Sequence, residues 1–260
     1  MERRTVLKSA LLATVTGAAA GCSTNHPSSA PPTSPPGPST QAAPPTTPAA
    51  SQPTVKPKPP TEAVEIVHGP RTVQQVALTF HGNGDPALAT ELLDLVEHAG
   101  AKISVLAVGT WLVTHPEMAA RVLKGGHDLG NHTMHHKPMR QLGAADARRE
   151  VHDCAAVLRR TANSPGRWFR ASGTQQTTPL IRFAAAASGY STCVSYDVDG
   201  LDWQDPPTAT VVKAVLDGVR PGSIVSLHLG HPVTIAALPQ ILPGLRAKRL
   251  APVTLSELLR

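Results

Sequence analysis

The N-terminal part of the sequence lacks an apolar run long enough to cross a bilayer. Ser9–Gly21 has 13 small or apolar residues, whereas a hydrocarbon core roughly 30 Å thick needs about 20. A spanning anchor there is excluded, and a run of this length behind the basic Met1–Lys8 reads as a signal peptide over residues 1–21. Charge of one sign is also scarce where it would matter. The chain carries a net +6, but Arg3, Arg4, Lys8, Lys56 and Lys58 against Glu2 account for most of it. The remaining 199 residues hold 19 basic and 17 acidic groups, too even a balance to serve as a footprint for nucleic acid. Cysteine is limited to Cys22, Cys154 and Cys193. The last two permit one disulfide at most, and their apolar surroundings lead us to expect two buried free thiols. Large apolar side chains are almost absent from residues 22–61, where half of the 26 prolines fall between Pro27 and Pro60. Such a segment cannot offset its ordering entropy by burial, which excludes a packed core and implies a disordered stem. Residues 62–260 are then enough for one sizeable domain and too few for a repeat array.

What is present begins with an address. Ala19-Ala20-Gly21-Cys22 resembles a lipobox, in which Cys22 is acylated and becomes the mature N-terminus, and Arg3-Arg4-Thr5-Val6-Leu7-Lys8 resembles a twin-arginine export motif. Several acyl chains at about 0.8 kcal/mol per buried CH₂ anchor stably. The expected location is therefore the extracytoplasmic face of the cell membrane. A stem in polyproline II conformation, at about 3.1 Å per residue, would lift the head up to roughly 120 Å, among the cell-wall polymers.

The head alternates between two periodicities. Short β-prone runs at 74–80, 103–108, 127–130, 167–170, 190–198 and 223–229 are separated by helical patterns at 86–99, 116–124, 144–161, 179–188, 208–219 and 235–247. Repeated βα units imply a parallel sheet, open or closed into a barrel, with its active residues at the C-terminal ends of the strands. His81, His132, His136, Arg170, Asp199, Asp202 and His228 stand at those ends. His132 and His136 are four apart, which on a helical turn places both imidazoles on one face as two ligands for a divalent transition metal, Zn²⁺ first. His127, opening a strand, and His135, off that face, are expected to be structural. A histidine at a strand end oriented by a carboxylate is what a general acid needs, and His228 with Asp202 can supply it.

The motifs then become specific. His132-Thr133-Met134-His135-His136 after Gly126–Asn131, Asp199-Gly200-Leu201-Asp202-Trp203, and Leu227-His228 closing a Gly-Ser-Ile strand resemble those of the NodB-homology polysaccharide deacetylases of carbohydrate esterase family 4, over Thr72–Leu259. The resemblance implies a distorted (β/α) barrel and metal-dependent removal of N-acetyl or O-acetyl groups from an acetylated polysaccharide such as peptidoglycan or a chitin-like polymer. It also implies that Trp203 either floors a sugar subsite or simply packs. The family's Thr-Phe-Asp-Asp-Gly-Pro is altered to Thr79-Phe80-His81-Gly82-Asn83-Gly84-Asp85-Pro86, so both carboxylates are missing in place. The leading expectation puts His81 as the base and folds Asp85 back over its glycine loop as the third metal ligand. Two alternatives stay open: His81 completing a three-histidine site with Asp85 as base, or a site without activity. Asp85 before Pro86 is also a helix N-cap. Arg170 survives from an altered third motif, without the carboxylate it usually pairs with. A non-catalytic glycan- or metal-binding lipoprotein on the same scaffold is the competing function.

Overall fold

A computed structural model of the chain describes residues 61–260. The expected signal peptide, Cys22 and residues 22–60 of the expected stem lie outside the described residues. Among the described residues, no helix is long and apolar enough to cross a membrane.

The chain runs β1 (Val64–Ile66), β2 (Gln75–Gly82), α1 (Pro86–His98), β3 (Ser104–Ala107), α2 (Gly109–Thr114), α3 (Glu117–Lys124), β4 (Asp128–Asn131) and α4 (Ala144–Ala162). It continues through α5 (Pro179–Ala187), β5 (Thr192–Val194), β6 (Val198–Asp199), α6 (Thr208–Gly218), β7 (Ile224–His228), α7 (Pro232–Ala247), β8 (Ala251–Val253) and α8 (Leu255–Leu258). Val76–Phe80 of β2 are all buried, a continuous run rather than an alternation, as a parallel strand covered on both faces requires. This strand is the centre of the sheet. Its Thr79–Gly82 pair with β3, Ala77–His81 with β7 and Gln75–Ala77 with β8, all in parallel. The order β4-β3-β2-β7-β6 follows, with β1 and β5 as a separate parallel pair. Phe169 bridges Asn131 of β4 and Cys193 of β5 and so links the two parts. The result is the expected α/β architecture, a distorted (β/α) barrel in which β1 and β6 are not paired.

Two expected strands shrink for local reasons. The 167–170 run contributes only the Phe169 bridge. That approach requires Gly130, where a Cβ would stand 2.6 Å from the Trp168 carbonyl oxygen. The 190–198 run breaks into β5 and β6 because polar groups between them are bonded elsewhere. Ser195 N–H donates to Ile66 O at 2.8 Å, and the Asp197 carboxylate accepts from Arg71 Nη2 at 2.7 Å and Ile224 N–H at 2.8 Å. Cys154 and Cys193 are both buried free thiols, and burial pushes each up to about 12, which leaves them unreactive.

Candidate metal centre and active site

Strand register collects the polar groups at one end of the barrel. His81 and His228 are partners across β2 and β7, and Asp199 and Ser226 across β6 and β7. His132 follows β4 directly, and Arg170 follows the Phe169 bridge. The ladder thus brings together residues up to 147 positions apart.

His132–His136 is not a helical turn, contrary to expectation. Thr133 and His136 have φ of 70° and 56°, in the left-handed region. The turn's N–H groups are captured by side chains and by a neighbouring helix: Thr133 N–H donates to Asn131 Oδ1, Met134 N–H to Glu150 O and His135 N–H to Glu150 Oε2, at 2.8 to 2.9 Å. These bonds replace the i→i−4 ladder and still bring the His132 and His136 ring centroids to 4.9 Å. His135 points away, its Nδ1 paired with Glu150 Oε1 at 2.9 Å. His127 is buried in a structural role, accepting from Ile103 N–H at 3.2 Å.

The third imidazole at this cluster belongs to His81. The ligand atoms of His81, His132 and His136 all lie within 4.8 Å of one another. His132 Nδ1–H donates to Arg170 O at 3.0 Å, which leaves the Nε2 lone pair free. That Nε2 and His81 Nδ1 are buried without any hydrogen-bond partner. Two partnerless buried nitrogens beside a third imidazole are costly unless something binds them, and a divalent metal with nitrogen affinity fits. Burial first, and then the neighbouring imidazoles, hold His81 and His132 well below the ordinary histidine range, and burial lowers His136 too. All three are therefore neutral at pH 7, the form that ligates.

Asp85 is not part of this cluster, which corrects the expectation that it supplies the third ligand. Its carboxylate caps α1, accepting from Ala87 N–H at 2.8 Å, and the residue is exposed. The glycine loop cannot fold it back because it is pinned. A Cβ on Gly84 would meet Gly230 Cα at 2.7 Å, and Gly84 O accepts from Trp111 Nε1 at 2.9 Å. The same packing closes position 82, where a Cβ would stand 2.8 Å from Val105 Cγ1, 3.0 Å from Ala107 Cα and 3.2 Å from the Trp111 ring. His81, expected as the base, instead joins the candidate ligands.

The other expected residues surround the triad. His228 Nδ1 is 2.8 Å from Asp202 Oδ1, and its N–H donates to Asp202 Oδ2 at 2.7 Å. Thr234 Oγ1 adds a third bond to the fully buried Asp202 at 2.5 Å. Arg170 is buried, donating to Val194 O and Ser195 O at 2.9 and 3.2 Å, and its Nη1 lies 3.4 Å from His81 Nε2. Burial lowers it to about 10, still charged at neutral pH. A cleft of about 420 Å³ opens over these groups, lined by His81, His136, Tyr196, Asp199, Trp203 and His228 among others. Trp203 is 52% exposed at its edge. The sequence reading passed over His231 and Asp205, which also form a pair here; their offset of three from His228 and Asp202 is the signal that was available.

A polysaccharide deacetylase family model matches residues 68–192. A peptidoglycan-N-acetylglucosamine deacetylase of Bacillus cereus is 31% identical over 195 residues, 74% of this chain and 91% of that protein. The chain belongs to the polysaccharide deacetylase family. A chitooligosaccharide deacetylase of Sinorhizobium fredii is 29% identical over 184 residues, 65% of this chain and 85% of its own. Among solved structures, a pseudoenzyme of carbohydrate esterase family 4 from Bacillus anthracis shares the fold at a TM-score of 0.70 and 20% identity, covering 76% of this chain and 69% of that one. In this polysaccharide deacetylase family member, the His132 and His136 rings meet at the triad and the Asp202 carboxylate orients His228 beside it.

Proposed function

We propose that this chain is a metal-dependent deacetylase acting on acetylated amino sugars of peptidoglycan or a chitin-like polymer, tethered through acylated Cys22 to the extracytoplasmic face of the cell membrane. The observation that carries the reading is the set of three convergent imidazoles, two with partnerless buried nitrogens, beside a histidine oriented by a buried carboxylate. His81, His132 and His136 would hold the ion, and an all-nitrogen set suits Zn²⁺ better than Mg²⁺ or Ca²⁺. When bound, the metal polarises the acetyl carbonyl and activates water. His228, with Nδ1 fixed by Asp202, presents Nε2 to the cleft and gives a proton to the leaving nitrogen. Ser226 Oγ, 3.4 Å from His81 Nε2, can accept that N–H and leave Nδ1 for the ion, while Arg170 stands at the same distance as a fixed cation beside the ring. Trp203 offers an exposed aromatic face on which a pyranose ring stacks.

The absence of a carboxylate from the triad favours one second reading, a glycan- or metal-binding lipoprotein without turnover. Metal content measured together with acetate release from acetylated chito-oligomers, peptidoglycan and an O-acetylated glycan separates the two. The deacetylase is expected to hold one metal per chain, to lose acetate release on chelation and to regain it with Zn²⁺. Stoichiometric metal with no acetate from any substrate establishes the binder. The tether is tested separately: Cys22→Ser is expected to leave the membrane fraction, and unchanged detergent-phase partitioning would refute lipidation.

A further inference from the structure

Beside the main cleft lies a second histidine–aspartate pair, its imidazole half-buried and its carboxylate exposed where Asp202 is buried. Asp202–His228 and Asp205–His231 each join residues 26 apart, and each has Nδ1 2.8 Å from Oδ1. Asp202 opens the 3-10 turn Asp202–Gln204 and Asp205 closes it as the C-cap, so one short turn supplies both carboxylates. On the other strand of the pairing, His228 ends β7 and His231 stands before α7. The rings of His81, His228 and His231 follow one another, with centroids 4.4 and 5.5 Å apart. His81, His136, Trp203, His228 and His231 line one recess of about 240 Å³ beside the main cleft.

Local structure gives up something for this pair. His231 occupies the N-cap of α7 without making a cap hydrogen bond, where Ser, Thr, Asp or Asn would add about 1 kcal/mol. Asp205 sits at φ 48°, in the left-handed region. The His231 imidazole is bonded to Asp205 and not to the helix end, and amide hydrolysis leaves one role open. Asp85 caps α1 and Asp202 orients His228, while Asp199, which lines the main cleft, has its Oδ1 held by the Leu201 N–H at 2.9 Å. A group is still needed to accept the proton of the attacking water.

We infer that His231, oriented by Asp205, is that base, an assignment that rests on the deacetylase reading above. Asp205 fixes the proton on Nδ1, so Nε2 is the free acceptor. One O–H bond of water breaks and its proton goes to His231 Nε2, directly or through one cleft water, as the oxygen bonds to the acetyl carbon. The C–N bond then breaks while protonated His228 gives its proton to the nitrogen. Acetate and the amine leave, the amine taking up the second water proton as an ammonium, and the proton on His231 passes to the adjacent His228 through cleft water, restoring both rings.

The test compares His231→Gln, His231→Ala and Asp199→Asn with the unmutated, metal-loaded protein on an acetylated chito-oligomer. His231→Gln is expected to lower kcat by about 10²–10⁴, with KM and metal content unchanged. Added imidazole is expected to restore part of the turnover of His231→Ala, a rescue that a structural role would not give. Turnover of His231→Gln within twofold of the unmutated protein overturns the assignment and leaves the deacetylase reading standing. A rise in KM at constant kcat also overturns it, in favour of a sugar contact. If Asp199→Asn loses turnover and His231→Gln does not, Asp199 is the base. No acetate release from the unmutated protein removes the deacetylase reading and this assignment with it.

Discussion

At the scale of single residues, the site turns on which side chains have partners and which do not. Asp85 has one: its bond to Ala87 N–H caps α1. Asp85→Ala is therefore expected to cost about 1 kcal/mol of stability and to leave metal stoichiometry unchanged, whereas His136→Ala is expected to abolish it. Denaturant unfolding with metal analysis of both variants checks this, and loss of metal from Asp85→Ala would return the aspartate to the ligand set. His135→Ala is the companion control, since its ring is paired with Glu150 and not with the triad. The His132/His136 pair and the His228–Asp202 dyad were legible in the sequence because their motifs are local or sit at strand ends. The fate of Asp85 was not, because capping and ligation look alike until the loop's neighbours are known.

At the scale of elements, the end of β2 shows how packing rather than chemistry settles a position. Gly82 faces Val105, Ala107 and the ring of Trp111 at 2.8 to 3.2 Å from a built Cβ. A carboxylate placed there has no room. Gly82→Asp is expected to destabilise the protein by about 1–3 kcal/mol through overpacking and to give no gain in metal affinity. Pairing it with Val105→Ala, which removes the nearest atom, is expected to cost less than the sum of the two single changes. Thermal melts of the single and double variants check the direction, and a stable Gly82→Asp with tighter metal would show that the strand end can open. The helices and most strands could be read from periodicity, and α1 matched to within one residue of its expected end. The breaks in the 190–198 run and the non-helical His132–His136 turn could not, because distant groups, Ile66 O, Arg71 and Glu150, claim the local polar atoms.

At the scale of the whole molecule, gathering imidazoles in a buried site ties stability to pH. His81 and His132 are held well below the ordinary range in the fold by burial and by each other or by His136, while in the unfolded chain they titrate near 6.5. The unfolded state thus binds more protons below that value. The metal-free protein keeps its full stability above about pH 6.5 and loses it as pH falls further, by up to roughly 1.4 kcal/mol per pH unit for each imidazole. Melting temperatures of the stripped protein from pH 7.5 to 5.5 should fall, and His132→Gln should flatten the slope. An equal slope in the variant would mean that other groups carry the effect.

The sequence by itself determined the βα alternation, the strand-end location of the chemistry and the resemblance to the deacetylases. Each of these rests on short-range periodicity or on contiguous motifs. Only the tertiary structure decided that His81 completes an all-imidazole triad, that Asp85 is confined to its helix cap, and that a second His–Asp pair stands beside the cleft. Those outcomes depend on the register of β2 against β7 and on the packing of Trp111 and Gly230 around the β2–α1 loop. Contacts between residues so far apart in the chain leave no periodic trace in it.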